Sequence, residues 1–303
     1  MTLTLHRSVA EFRKIASSVR RAGGRLGLVP TMGALHAGHL SLVREARARA
    51  SVVALSVFVN PTQFGPNEDY ARYPRTLERD LELCREAGVS HVFAPDTTEM
   101  YPAGEQTRVH VSRLTDALCG PHRPGHFDGV ATIVSKLFAL AGECVAVFGR
   151  KDYQQLKVIE RMARDLLLPV EVVGLPTLRE ADGLAQSSRN IYLSAEERER
   201  ALAIPRALSA AVLAFQGGER RVSVLRQTAL ELLVPAGLRL DYATIADADE
   251  LVPILDDAPS GERALFAVAG FMGKTRLIDN VVLGEDPAPI ASPKELVEGS
   301  ASR

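Results

Sequence analysis

Residues 26–42 read L-G-L-V-P-T-M-G-A-L-H-A-G-H-L-S-L. The apolar run Leu26–Val29 predicts a buried strand, and Pro30 is expected to end that strand because proline cannot donate a ladder hydrogen bond. The next residues, 31–33, predict a turn, and apolar residues at helical spacing from Gly38 onward predict a helix. The stretch is therefore expected to fold as a strand, a tight turn and a helix.

Two histidines, His36 and His39, lie three residues apart where this helix is predicted to begin. Residues at that spacing share one helix face, and the unpaired amides of a helix start attract anions. The pair therefore indicates a phosphate site, in which Gly38 would let a base or ribose approach the backbone. Two alternatives stay open, because such a pair also occurs on solvated helix faces and as two ligands of a zinc site that lacks its third.

The run P-T-M-G-A-L-H-A-G-H-L at residues 30–40 resembles the H-x-G-H signature of the nucleotidyltransferase superfamily, which also contains class I aminoacyl-tRNA synthetases. Its surroundings are more similar to the pantothenate synthetase (pantoate–β-alanine ligase) family. Three more blocks match that family in order: F-V-N-P-T-Q-F at 58–64, F-G-x-K-D-Y-Q-Q-L at 148–156 and D-G-L-A-Q-S-S-R-N at 182–190. The similarity extends to about Leu283, and the chain is identified as a member of the family.

Composition restricts the classes of protein that the chain can be. The 303 residues are 46% hydrophobic and carry a net charge of −1, so no strong field would attract nucleic acid or an anionic membrane. The three cysteines form no C-x-x-C pair, which favours a reducing compartment without disulfides or structural zinc. No apolar run approaches the roughly 20 residues that cross a bilayer. We expect a cytoplasmic protein that binds neither nucleic acid nor membrane.

Alternating strand and helix patterns predict the fold class as α/β. A doubly wound (Rossmann-like) parallel-sheet nucleotide-binding domain is expected over 1–183, followed by a smaller α+β C-terminal domain over 184–285 and a disordered tail over 286–303. In the first domain the strands are expected at 26–29, 52–59, 89–94, 144–148 and 170–174, with an edge strand at 108–111. The helices are expected at 8–22, from 38 onward, at 76–87, at 130–140 and from the segment 149–155 to 166. In the second, the helices are expected at 195–214 and 223–233 and the strands at 239–245, 263–269 and 275–283.

Polar residues follow several of the predicted strands. Asn60 and Gln63 are neutral groups that both donate and accept, which suits a small hydroxy acid, although the segment is also typical of a turn without a ligand. Lys151 follows a predicted strand and would place a point charge on phosphate, with Asp152 as a helix N-cap. Residues 187–189 (Ser-Ser-Arg) suit a polyphosphate clamp, although their composition also fits an ordinary loop.

A further basic segment, residues 119–129, is rich in turn-forming residues, and we expect a mobile, solvated loop that precedes a helix at Val130. A phosphate contact by His122, Arg123 and His126 stays open as an alternative, but no catalytic role is assigned to them.

The resemblance implies a two-step reaction: ATP and pantoate form pantoyl adenylate and pyrophosphate, and β-alanine then displaces AMP. It also implies Mg²⁺ delivered with ATP, no metal held by the protein alone, a homodimer formed through the N-terminal domain, and a C-terminal lid. The only sequence hint of a dimer is the apolar run after Ser51, which is expected to leave a sheet edge to cover.

The implied site residues fall into three groups. The catalytic residues are His36, His39, Lys151 and Arg189. The ATP-binding residues are Met32, Gly33, Ala34, Leu35, His36, Ala37, Gly38, His39, Gly149, Arg150, Lys151, Asp152, Leu178, Gln186, Ser187, Ser188 and Arg189. The residues that bind pantoate and β-alanine are Gln63, Gln155 and Asn60. Two positions depart from the family pattern, since Arg150 replaces a glutamate and Gln186 an apolar residue.

Two rival functions remain open from the sequence. One is a related nucleotidyltransferase that acts on a phosphorylated alcohol, although its acceptor pocket should be basic and Gln63 and Gln155 are neutral. The other is a non-catalytic nucleotide-binding protein, which the retained histidines and Lys151 disfavour.

Overall fold

A computed structural model of the chain describes residues 3–66 and 68–290. The chain divides into two compact units: residues up to 115 with 123–176 form the first, and 116–122 with residues from 177 onward form the second. Of the tail expected at 286–303, Ile290 is buried and its amide donates to Ser209 Oγ at 2.9 Å, whereas 291–303 lie outside the described residues.

The first unit contains a six-stranded parallel sheet in the order β1-β4-β3-β2-β5-β6. The strands are β1 (Thr4–His6), β2 (Leu26–Thr31), β3 (Val52–Val57), β4 (His91–Phe93), β5 (Cys144–Gly149) and β6 (Val170–Leu175). The central strands are nearly continuous runs of buried apolar residues, as a parallel sheet covered on both faces requires. The predicted α/β class is confirmed.

The helices of the first unit are α1 (Val9–Arg21), α2 (Ala37–Arg49), α3 (Leu77–Ala87), the single-turn α4 (Thr97–Met100), α5 (His126–Ala141) and α6 (Tyr153–Asp165). Helix α1 begins with a capping box in which Ser8 and Glu11 cap each other's backbone amides. Helix α2 begins at Ala37, with His36 as its N-cap. None of the helices in the described residues is both long and apolar enough to span a bilayer.

The second unit packs helices on an antiparallel sheet. Its helices are α7 (Ala195–Ala201), α8 (Ala203–Gln216) and α9 (Val222–Leu233), and its strands are β7 (Arg239–Asp247), β8 (Ala264–Met272) and β9 (Thr275–Leu283) in the order β7-β8-β9. The single helix predicted over 195–214 is interrupted at Leu202. Pro205 lies in the first turn of α8, where its missing N–H leaves no helical hydrogen bond unmade.

The structure corrects the predicted end of β2. Pro30 does not end the strand, which continues to Thr31 in register with β3. The carbonyl of Thr31 accepts from Phe58 N–H on the β3 side, so Pro30 faces the β5 side, where pairing has already ended at Leu28. A proline is tolerated there because no partner strand needs its N–H.

Two further expectations were wrong, and one strand was missed. The segment 108–111 forms no strand, and Val109 N–H donates instead to Thr132 Oγ1 of α5 at 2.9 Å. The run after Ser51 leaves no sheet edge, because β3 lies between β4 and β2. The sequence patterns also missed β1, which has only three residues and pairs with β4.

Candidate active site

The chain order reverses in the middle of the sheet. From β2 the chain proceeds to β3 and β4 on one side, and later to β5 and β6 on the other. Because neighbouring strands in this sheet are parallel, the carboxyl ends of β2 and β5 lie side by side, and such switch points bind ligands in open α/β sheets. The H-x-G-H segment follows β2, and Gly149-Arg150-Lys151-Asp152 follows β5. The topology therefore brings the first and third sequence blocks to one edge of the sheet.

The turn after β2 requires glycine. Gly33 has a φ of +81°, and a Cβ there would lie 3.0 Å from both Asp80 Oδ2 and Val57 Cγ1. Ala34 follows with a φ of +51°, so two successive residues adopt the left-handed conformation. This conformation turns the chain sharply from the strand into the start of α2.

The two histidines cap the helix on which they lie. His36 is the N-cap, and its Nδ1 accepts from Gly38 N–H at 3.1 Å. His39 reaches back, and its Nδ1 accepts from His36 N–H at 3.3 Å. The two rings lie 4.1 Å apart between centroids. Both Nδ1 atoms are therefore acceptors, and a neutral imidazole in this arrangement carries its proton on Nε2.

His39 is uncharged at neutral pH. Burial is the largest cause, followed by the imidazole of His36 and the ammonium of Lys151, and together they lower the pKa of His39 to about 3. The ring can therefore donate a hydrogen bond from Nε2 but brings no positive charge. The Gly38 amide at the start of α2 already donates to the His36 ring, so it is not the first choice for an anion. The Nε2–H groups of the two histidines are the donors that suit an anion here.

The segment after β5 adds positive charge to the same edge of the sheet. Arg150–Asp152 form a single 3-10 turn before α6, and Lys151 Nζ lies 3.8 Å from Asp152 Oδ2. The Asp152 side chain makes no cap hydrogen bond to α6, so the N-cap interpretation does not explain it. The charges of Lys151 and Asp152 both act on the pKa of His39, which Lys151 lowers and Asp152 raises.

Asn60 and Gln63 form one buried amide network beside β3. Asn60 Nδ2 donates to Gln63 Oε1 at 3.1 Å, and Asn60 Oδ1 accepts from Tyr101 OH at 2.7 Å. Gln63 Nε2 in turn points to Met32 Sδ at 3.1 Å. The predicted acid-binding block thus contacts the turn after β2. Helix α5 packs tightly on this block, because a Cβ at Gly129 would lie 2.3 Å from the carbonyl oxygen of Thr62.

The solvated loop expected over 119–129 was wrong for its last residues, because α5 begins at His126. His126 is buried at the start of α5, where Nδ1 donates to the carbonyl of Gln63 at 2.8 Å and Nε2 accepts from Arg123 Nη1 at 2.9 Å. Arg123 Nε also pairs with Glu68 Oε1 at 2.7 Å. Burial, and then the Arg123 charge, lower the pKa of His126 to about 4. These side chains hold the backbone of Gln63.

The two adjacent glutamines of α6 differ in environment. Gln154 is buried, and its Nε2 donates to the carbonyl of Leu114 at 2.8 Å, which is a structural role. Gln155 is only partly buried, which leaves part of its side chain accessible to a ligand.

The fourth block forms a braced hairpin in the second unit. Gln186 N–H donates to the carbonyl of Leu178 at 3.0 Å, and Ser187 Oγ accepts from Arg189 N–H at 3.2 Å. Arg179 anchors the hairpin by pairing with both oxygens of Asp279, at 2.7 and 3.1 Å. These hydrogen bonds and this ion pair, all within the second unit, hold the backbone of the Ser-Ser-Arg segment.

Sequence reasoning missed three supporting residues. Asp80, Tyr101 and His126 all bond to site residues or to the turn after β2, although none belongs to a site named from the sequence. Asp80 could have been found from the sequence, because it is a charged residue four positions before Cys84, on the face of α3 that should be apolar. Among the described residues no group of three or more His, Cys, Asp or Glu side chains could hold a metal ion.

The sequence is similar to those of known proteins over most of its length. The family model for pantoate-beta-alanine ligase matches residues 4–282. The pantothenate synthetase of Moorella thermoacetica is 54% identical over 283 residues, which covers 93% of this chain and 99% of that protein. That of Myxococcus xanthus is 54% identical over 279 residues, covering 92% and 95%.

Solved structures agree in fold as well as in sequence. A crystal structure of pantothenate synthetase from Thermus thermophilus superposes with a TM-score of 0.85 at 50% identity, covering 91% of this chain and 98% of that one. Pantoate-beta-alanine ligase from Francisella tularensis, complexed with Beta-gamma ATP and β-alanine, superposes with a TM-score of 0.76 at 31% identity, covering 95% and 100%. The chain belongs to the pantoate–β-alanine ligase family.

Proposed function

We propose that the protein joins pantoate to β-alanine at the expense of ATP, through a pantoyl-adenylate intermediate. In the first step a carboxylate oxygen of pantoate attacks the α-phosphorus, and the bond to pyrophosphate breaks. In the second step the amine of β-alanine attacks the acyl carbon, AMP leaves with the electron pair of the broken bond, and the amine loses a proton. The products are pantothenate, AMP and pyrophosphate.

One observation carries this proposal: the paired histidines of the H-x-G-H turn lie at the sheet's switch point, where Lys151 follows the neighbouring strand. Negative charge builds on the departing pyrophosphate during the first step, and preorganised donors at that position lower the barrier. We assign His36 and His39 as neutral Nε2–H donors and Lys151 as the point charge. Mg²⁺ enters with ATP, since this ion usually binds through substrate phosphates.

The remaining ATP contacts are proposed from the blocks. The backbone and side chains of the turn after β2, of the turn after β5 and of the Ser-Ser-Arg segment bind the nucleotide: Met32, Gly33, Ala34, Leu35, Ala37, Gly38, Gly149, Arg150, Asp152, Leu178, Gln186, Ser187, Ser188 and Arg189. Arg189 has the catalytic role of offsetting charge on the triphosphate.

Gln63 and Gln155 are proposed to bind pantoate beside the β-alanine position. The carboxamide of Gln63 is oriented by Asn60, which occupies its Oε1 and leaves the Nε2 end to donate. Both polar atoms of the Asn60 side chain are already bonded to protein, so we propose that Asn60 acts on pantoate by orienting Gln63.

Assembly and location are proposed as well. We infer a homodimer from family membership alone, since the sheet-edge hint was wrong. A reducing, cytoplasmic location is supported by Cys84, Cys119 and Cys144, which are all buried and form no disulfide.

The proposed function is tested by supplying ATP, pantoate and β-alanine together and following AMP, pyrophosphate and pantothenate. The proposal expects the three products in equal amounts. A nucleotide retained on the product, or release of ADP and inorganic phosphate, would contradict it. Omission of β-alanine is the control, and it should limit pyrophosphate release to about one equivalent per site, because the adenylate then has no acceptor.

A further inference from the structure

Side chains hold the backbone of the H-x-G-H turn. The amides of residues 33, 34, 35, 36 and 38 each donate to a side-chain acceptor: Thr31 Oγ1, Asp80 Oδ2, Asp80 Oδ1, His39 Nδ1 and His36 Nδ1, in that order. The acceptors from Thr31, His36 and His39 lie in the same stretch of chain, from the end of β2 to the first turn of α2. Asp80 comes from a different helix, α3, more than forty residues further along the chain.

Asp80 is a buried carboxylate whose two oxygens are both occupied. Its residue is only 1% exposed, and the oxygens accept from Ala34 N–H at 3.0 Å and Leu35 N–H at 2.8 Å. Thr76 Oγ1 adds a third donor at 3.3 Å. A carboxylate removed from water needs such donors, and these are two consecutive amides of the turn.

These two bonds hold a conformation that the chain would not otherwise favour. Ala34 has a φ of +51°, a region that residues with a Cβ rarely occupy. Leu35 then leads directly to His36, whose ring caps α2. Any shift of residues 34 and 35 would therefore move the N-cap, and with it the Nε2–H donor of His36.

We propose that Asp80 is a positioning residue for adenylate formation, which holds the turn so that His36 and His39 present their Nε2–H groups to the departing pyrophosphate. This proposal rests on the function proposed above. Asp80 does not contact substrate in this account, because both of its oxygens are already bonded to protein. An acidic residue that only stabilised the start of α3 would not need to be buried. Glu78 lies in the same first turn and is exposed, whereas Asp80 is buried.

The test compares Asp80→Asn with Cys84→Ala. Asparagine keeps the shape but places an NH₂ donor against one of the two backbone N–H groups, so one amide loses its acceptor. We expect adenylate formation to slow about a hundredfold, as small misplacements of catalytic groups do, with a far smaller change in the KM for ATP. Cys84 is fully buried on the same helix and makes no hydrogen bond to the turn, so Cys84→Ala should lower stability and leave the rate nearly unchanged.

A spectroscopic readout separates positioning from stability. In the wild type, ¹⁵N shifts of the His36 and His39 rings should show a protonated Nε2 and an unprotonated Nδ1, without any substrate present. Asp80→Asn should convert them to mixed tautomers, whereas Cys84→Ala should not. A wild-type ring signature together with a wild-type adenylation rate in Asp80→Asn would overturn the proposal. The proposal would also be overturned if Asp80→Asn and Cys84→Ala lost the same amount of stability and the same amount of adenylation rate.

If Asp80→Asn does not fold, hydrogen exchange on the wild type still decides the matter. The amides of Ala34 and Leu35 should exchange far more slowly than those of an exposed turn, and fast exchange would overturn the proposal. The exchange and ¹⁵N measurements need no turnover. A failure of the proposed function would therefore appear in the product assay alone, and a failure of this inference in the substrate-free measurements.

Discussion

Asn60 Nδ2 donates a 3.1 Å hydrogen bond to Gln63 Oε1. The bond fixes which end of the Gln63 carboxamide accepts and which donates, and it turns the Nε2 end toward Met32. A carboxylate ligand needs a donor, so this orientation suits pantoate. The Gln63 amide is also neutral, whereas a phosphorylated acceptor would require a basic pocket.

Gln63→Ala should raise the KM for pantoate ten- to a hundredfold and leave the KM for ATP nearly intact. A hydrogen bond to a charged group contributes about 1.5–3 kcal/mol, which corresponds to that range. Gln154→Ala is the matched control, because Gln154 is buried and bonds to the carbonyl of Leu114. Initial rates at varied pantoate check the prediction, and an unchanged pantoate dependence in Gln63→Ala would refute the assignment.

Mild acid should lower the free energy of unfolding, partly through His126. Its pKa is lowered from 6.5 to about 4 in the folded state, so the unfolded chain binds the proton more tightly. The stability that neutral His126 contributes is therefore complete above pH 6.5 and is lost as the pH falls toward 4. By pH 5 the loss should reach about 2 kcal/mol.

Urea unfolding at pH 7.5 and at pH 5.0 measures this effect. His126→Gln removes the titration, so its free energy of unfolding should fall about 2 kcal/mol less than that of the wild type between the two pH values. The same pH dependence in the wild type and in His126→Gln would contradict the prediction.

The parallel sheet was predictable because its central strands are apolar runs that need no tertiary information to recognise. Residues 108–111 resemble a strand just as well, yet no strand lies beside them and Val109 bonds to a side chain instead. Short β1 is a strand only because β4 is its partner. Local pattern therefore identified the long elements and failed where a distant partner decides the outcome.

The same limit applies to the site. The histidines, Lys151 and Gln63 stand in compact blocks that a sequence can reveal. Asp80 and His126 act through bonds to residues 45 or more positions away, and only the packing of α3 and α5 brings them into place. Only Asp80 left a signal in the sequence, as a polar residue on the face of α3 that should be apolar.

A buried ion pair joins the hairpin that carries the Ser-Ser-Arg segment to β9. Arg179 pairs with both oxygens of Asp279, whose side chain is only 2% exposed. Arg179→Met should lower the free energy of unfolding by about 3 kcal/mol, because it leaves a buried charge without its partner. Arg179→Met combined with Asp279→Leu should recover part of the loss.

Arg79→Met is the control for that series. Arg79 pairs with Glu82 at the surface, where both side chains are more than half exposed, and such pairs contribute little to stability. Urea denaturation of the four proteins measures the differences. Equal effects from Arg79→Met and Arg179→Met would show that burial of Asp279 does not matter.

The proposed homodimer is tested by its mass in solution. Light scattering at micromolar concentration should give about twice the 32.8 kDa of one chain. A mass near 32.8 kDa would refute the dimer, without bearing on the proposed chemistry.

The central claim is that the paired histidines act on the departing pyrophosphate. His39→Asn tests it most directly, since the asparagine oxygen can replace Nδ1 as the cap acceptor while the Nε2–H donor is lost. Single-turnover formation of pantoyl adenylate should fall about 10²–10³-fold, the usual effect of removing one such donor. Conversion of supplied pantoyl adenylate and β-alanine to pantothenate should proceed at the wild-type rate, because no pyrophosphate leaves in that step. Equal losses in both half-reactions, or stoichiometric zinc in the purified wild type, would contradict the account.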